Sequence, residues 1–89
     1  MKKTASKNKM ELEMIPGIGK SLAQDLIQIG YVTVASLKNQ DPQQMYDRHC
    51  KIKGCHVDRC VLYAFRCAVY FASNESHEPE KLKWWNWKG

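Results

Sequence analysis

In this 89-residue chain His49, Cys50, Cys55, His56 and Cys60 are all of metal-ligand type and all within residues 49–60. Their spacing lacks the paired-cysteine pattern of a zinc module. On a helix, the adjacent His49 and Cys50 do not both face one centre. No transition metal is expected. The carboxylates Asp25, Asp41, Asp47 and Asp58 form no cluster in sequence, and no Ser–His or Cys–His arrangement follows from proximity. The expectation is that the chain is not an enzyme. A third kind of chemistry needs no reactive side chain. The stretch Met14-Ile15-Pro16-Gly17-Ile18-Gly19-Lys20-Ser21-Leu22-Ala23 reads as a tight turn that opens a helix. Pro16 suits a helix exit, and Gly17 and Gly19 permit backbone angles or close approaches that other residues resist. Free amide N–H groups at such a helix start are a natural seat for a phosphate.

The elements that must position this turn are all helical. A short helix begins near Lys9, includes Leu12, and ends at Pro16. The next runs from about Ile18 to Ile29, with Leu22, Ala23, Leu26 and Ile27 on its apolar face and Gly30 as its breaker. Thr33 is placed to cap a short helix holding Val34 and Leu37. Asp41 is an N-cap, Pro42 fits the first helical position, and Gln44 stands where a capping-box partner would. That helix continues towards Ile52 and is interrupted by Gly54. The last major helix spans Cys55 or His56 to Ala72. Its apolar residues Cys60, Val61, Ala64, Phe65, Cys67, Ala68 and Phe71 are too many for one narrow stripe, so it should be the central helix. Arg59, Arg66 and Tyr70 follow nearly one line beside Tyr63. They form either a basic-aromatic surface stripe or a bridge along the edge of the core.

Residues 15–23 also align with residues 52–60 at an offset of 37. Ile52, Gly54 and Cys60 then take the places of Ile15, Gly17 and Ala23, and His56 replaces the second glycine. Both stretches lie between expected helices, which suggests a tandem pair with one intact and one degraded turn. After Ser73 the chain turns polar and ends in a segment holding Trp84, Trp85 and Trp87. Three tryptophans are costly to leave in water, so the tail either folds back over the helices or supplies a docking surface. Folding back is the expectation.

The length allows one domain with a small core, burying about 60–65% of the unfolded surface. The organisation expected is a flexible basic arm over 1–8, a helical domain over 9–73 and a Trp-rich tail over 74–89. The net charge of +5 is unevenly spread. Lys2, Lys3, Lys7 and Lys9 give residues 1–10 a charge of +4, residues 11–72 hold seven bases against six acids, and residues 73–89 balance three lysines with three glutamates. The folded part is nearly neutral, so bulk charge argues little for nucleic acid. No apolar run approaches the roughly 20 residues of a membrane span, and no apolar segment follows the basic N-terminus. A cytoplasmic protein without a membrane partner is expected. The four cysteines are read as buried core thiols. Cys60 and Cys67, about 10.5 Å apart along one helix, cannot bridge each other.

Met14 through Leu26 resembles a helix-hairpin-helix motif, with Gly17 and Gly19 as hairpin glycines and Ala23 as the close-packing small residue. Over roughly residues 10–88 the chain resembles the bacterial pathogenicity locus family, Cdd1. The resemblance rests on Ile15-Pro16-Gly17-Ile18-Gly19-Lys20-Ser21, Asp41-Pro42, Asp58-Arg59-Cys60-Val61-Leu62-Tyr63, Phe65-Arg66-Cys67-Ala68-Val69-Tyr70 and Trp84-Trp85-Asn86-Trp87. It implies an all-α, compact helix-hairpin-helix (SAM-like) domain. The family label implies no reaction or ligand; the helix-hairpin-helix resemblance implies weak, sequence-independent binding to DNA, double-stranded by expectation. The phosphate contacts would come from Gly17, Ile18, Gly19, Lys20 and Ser21. His56, Arg59 and Arg66 are candidates for a secondary surface. Such hairpins can hold a monovalent cation, potassium or sodium, through carbonyls; no other cofactor is implied. The competing expectation is a protein-interaction domain with Trp84, Trp85 and Trp87 at its interface. Neither reading fixes an oligomeric state.

Overall fold

Apolar residues three and four apart, punctuated by glycine, proline and aspartate, set the helices. The computed structural model describes residues 10–88; the arm assigned to 1–8 lies outside them. Helix α1 is seen over residues 10–13, followed by α2 (Lys20–Gln28), α3 (Pro42–Lys53) and α4 (Arg59–Ser73). Single 3-10 turns occupy Ala35–Leu37, Pro79–Leu82 and Trp84–Trp87. There is no strand among the described residues, and the fold is all-α.

The helix ends follow from identifiable residues. At α3 the Asp41 carboxylate accepts from the Gln43 amide at 2.9 Å, with Pro42 in the first turn. The expected capping box is not completed. Gln44 makes no return bond among the described residues, and the neighbouring Gln43 side chain reaches Asp47 instead, at 3.0 Å. Helix α4 begins at Arg59 and not at Cys55 or His56. Asp58 takes the N-cap position, accepting from the Cys60 amide at 2.9 Å and fixing the start there. The Thr33 hydroxyl oxygen accepts from the Ser36 amide at 3.1 Å, but the 3-10 turn begins at Ala35 with Val34, not Thr33, at its N-cap position.

The core gathers Leu12, Ile15, Ile18, Ala23, Leu26 and Ile29 with Leu37, Met45 and Tyr46 and with Leu62, Ala64, Phe65 and Ala68 of α4. On α4 the buried residues are Leu62, Ala64, Phe65, Cys67 and Ala68. At 100° per residue they cover roughly 220° of its circumference, about twice the stripe of a surface helix. This is the central helix. One polar side chain enters the core. His49 places Nε2 3.6 Å from Asp25 Oδ2, which ties α3 to α2, and sets its ring edge-on to Phe65.

Two sequence expectations are corrected. Of the four cysteines only Cys67 is buried; Cys50 is half-buried, and Cys55 and Cys60 are exposed. The cause is the later start of α4, which leaves Cys55 in the connecting turn and Cys60 on the first, solvent-facing turn. The offset-37 comparison does not extend to packing. It would begin α4 at residue 57, two residues early. Ile15 is 1% exposed and Ile52 48%, and exposed Cys60 stands where Ala23 is buried.

Candidate nucleic-acid interface at the glycine turn

The turn between α1 and α2 is built by four residues. The Ile18 amide donates to the Ile15 carbonyl at 3.0 Å, enclosing Pro16 and Gly17. Proline at the second position and a residue with positive φ at the third are the requirements of a type II turn. Gly17 supplies that angle, at φ +86°. Ile15 and Ile18 are both buried and plug the turn into the core.

Gly19 follows with extended backbone, φ −90° and ψ −171°, as the N-cap of α2. It has no side chain to cap with, and the first intrahelical bond runs from the Ala23 amide to its carbonyl at 2.9 Å. Among the described residues, no acceptor meets the amides of Gly19, Lys20, Ser21 or Leu22. The opposite end of α2 is largely satisfied. Gly30 and Tyr31 return amides to the carbonyls of Ile27 and Leu26, and Arg48 donates to the Ile29 carbonyl at 3.0 Å. Asp41 and Asp58 cap α3 and α4. Of these three helices, α2 alone begins without a side-chain cap.

The predicted phosphate-binding residues therefore separate into two kinds. Gly19, Lys20 and Ser21 are exposed, and a Cβ built on Gly19 would meet nothing within 4 Å. Neither packing nor φ demands a glycine at 19; it leaves the helix end open to close approach. Ile18 is of the other kind, because its side chain is in the core and its amide is spent on Ile15. Gly17 is a turn-former, and the face where a side chain would sit is already covered. A Cβ there would lie 3.0 Å from Trp84 Cδ1.

That contact with Trp84 has no local sequence signal, and it joins the turn to the tail. Arg66 Nη1 donates to the Trp87 carbonyl at 2.6 Å, and Trp87 Nε1 donates to the Lys81 carbonyl at 2.8 Å. The Glu78 amide donates to the Tyr70 hydroxyl at 2.9 Å. Cys67 lies between turn and tail, with its sulfur 3.8 Å from the Pro16 carbonyl oxygen and 3.6 Å from that of Lys81. Burial pushes its thiol pKa up. Trp84 and Trp87 are half-buried and Trp85 is 50% exposed.

Arg66 is thus committed to the tail and is not a free member of a basic surface with His56 and Arg59. Those two are exposed in and beside the loop before α4. As for a monovalent cation, the Ile15 and Pro16 carbonyls already face the Ile18 amide and the Cys67 thiol. Among the described residues, no group of three or more His, Cys, Asp or Glu side chains gathers to hold a metal ion. Nor, among them, is any helix long and apolar enough to cross a membrane.

Comparison with known proteins follows this geometry. The model of a family described as pathogenicity locus, Cdd1, matches residues 5–89. The mitomycin resistance protein McrB of Streptomyces lavendulae is 29% identical over 77 residues, covering 86% of this chain and 70% of the relative. No solved structure gives a significant match.

Proposed function

The chain belongs to the pathogenicity locus family Cdd1, and from that premise we propose that it is a cytoplasmic, non-enzymatic module that binds DNA weakly through phosphate contacts. In this reading residues 10–28 form a helix-hairpin-helix unit. One observation carries it: α2 begins with open amides on an exposed glycine, while α3 and α4 begin with aspartate caps. The partial positive charge of the helix dipole stands at that end. Lys20 and Ser21 add a full charge and a hydroxyl. Contacts of this kind position a duplex without reading its bases. With two or three phosphates engaged, log K should fall with log salt at a slope of roughly −2 to −3.

The test is titration of a fluorescently labelled duplex at low salt with wild type, Lys20→Glu and Gly19→Asp. The φ and ψ of Gly19 suit an aspartate N-cap, whose carboxylate would occupy the amides of the first turn. Gly19→Asp is therefore expected to stabilise the fold while weakening binding at least about tenfold, the loss of roughly 1.4 kcal/mol. A more stable protein that no longer binds cannot be dismissed as misfolded. Equal binding by all three proteins, or none by wild type at low salt, defeats the proposal.

A second reading is favoured by a separate observation. Trp85 is 50% exposed and Met14 74%, apolar surface of the kind that protein partners cover. An interaction that survives Lys20→Glu and is lost with Trp85→Ala would select a protein-interaction domain. The name of the Streptomyces relative makes mitomycin tolerance the cellular phenotype to measure with the same variants.

A further inference from the structure

The turn between α3 and α4 holds two thiols that the phosphate reading does not use. The Cys50 carbonyl accepts two amides, from Gly54 at 2.8 Å and from Cys55 at 3.3 Å. Gly54 makes this possible by taking the left-handed conformation, φ 73° and ψ 18°. A bond running back from the second residue past a helix end to the third residue before it commonly brings the side chains of those two positions together. Here both side chains are thiols.

The bond also limits how far apart the two α-carbons can be. From Cα of Cys50 to its own carbonyl oxygen is about 2.4 Å, and from that oxygen through the 3.3 Å bond to Cα of Cys55 is about 4.1 Å. For a near-linear hydrogen bond these sum to at most roughly 6.5 Å, inside the window of about 4.4–6.8 Å that a disulfide spans. Cys50, Cys55, Lys51, His56 and Asp47 line one surface depression, so the pair is open to small reagents. The other two cysteines are poorly placed to compete. The Asp58 carboxylate beside it raises the pKa of the exposed Cys60 thiol. Cys67 is buried under the tail.

The geometry points to Cys50 and Cys55 as a dithiol that closes to an intramolecular disulfide when a peroxide is the oxidant. The exposed Cys55 thiolate attacks one peroxide oxygen, the O–O bond breaks, and a sulfenic acid and hydroxide result. The Cys50 sulfur then attacks the Cys55 sulfur, and the sulfenic oxygen leaves as water once protonated. Two thiols and one hydrogen peroxide give one disulfide and two waters. The two sulfurs lose two electrons in total, and both thiol protons end in water. The closed ring pins the end of α3 to the loop carrying His56.

Tryptic mapping tests this directly, because cleavage after Arg48, Lys51, Lys53, Arg59 and Arg66 places each cysteine on its own peptide. The reduced full chain is treated with equimolar hydrogen peroxide, remaining thiols are blocked with iodoacetamide, and the digest is analysed without reduction. The expected product links peptide 49–51 to peptide 54–59 with the loss of two hydrogens, while Cys60 and Cys67 appear alkylated. Dithiothreitol should reverse it, and Cys50→Ser, checked for folding by circular dichroism, should abolish it. A Cys55–Cys60 link, a disulfide-linked dimer, over-oxidised Cys55 or four alkylated cysteines would each overturn the assignment.

Discussion

Gly17 and Gly19 stand two positions apart and answer to different forces. At Gly17 an alanine meets two penalties, a positive φ and a Cβ 3.0 Å from the Trp84 indole. Gly17→Ala is expected to lower unfolding free energy by about 1–3 kcal/mol, read from urea denaturation. At Gly19 the angle is ordinary and the space is open. Gly19→Ala should cost only about 0.5–1 kcal/mol, the difference between glycine and alanine at an N-cap. Equal costs at the two positions would show that the Trp84 contact and the turn angle are not what Gly17 serves. Both glycines are plain in the sequence, but their division of labour is not. It depends on ψ at Gly19 and on a tryptophan from the other end of the chain.

Among the elements, the beginning of α4 is the most informative. Asp58 is held below its ordinary value of 3.8 chiefly by its hydrogen bond from the Cys60 amide. A carboxylate depressed in the folded state adds stability above its unfolded pKa and loses it as pH falls through the folded pKa. Asparagine caps nearly as well and does not titrate in that range. Wild type should therefore lose Tm relative to Asp58→Asn as pH drops below 3.8, with the two curves running parallel near neutrality. Parallel curves throughout would remove the cap from the account. Local chemistry made most helix limits legible: Asp41-Pro42 started α3, and Gly30 and Gly54 ended α2 and α3. The start of α4 is less legible, because Gly54 marks an interruption without saying where the next helix begins, and the Asp58 cap sets it at Arg59. The exposure of Cys60 follows from that start. The open start of α2 could be read from Gly19 and the absence of a nearby capping side chain. The commitment of the Ile18 amide needed the turn itself.

At the scale of the whole molecule, the tail is part of the domain's packing although it contributes no fully buried residue. Trp84 covers the turn, Trp87 is held by Arg66, and the Lys81 carbonyl faces the Cys67 thiol. Trp84→Ala should loosen this arrangement and raise the alkylation rate of Cys67 severalfold under native conditions, followed by mass spectrometry. An unchanged rate would mean that α4 and the turn shield the thiol unaided. The charge distribution works at this scale too, because a nearly neutral folded part would leave the proposed phosphate binding to a handful of local contacts. The seat of Trp84 on Gly17 has one more consequence, for the order in which the protein is made. Residue 17 leaves the ribosome well before residue 84, its cover. Until residue 84 emerges, the nascent turn has its glycine face bare and Cys67 lacks the Lys81 carbonyl. The turn is therefore completed only after residue 84 has followed it, and a chain stalled before that residue would present it open.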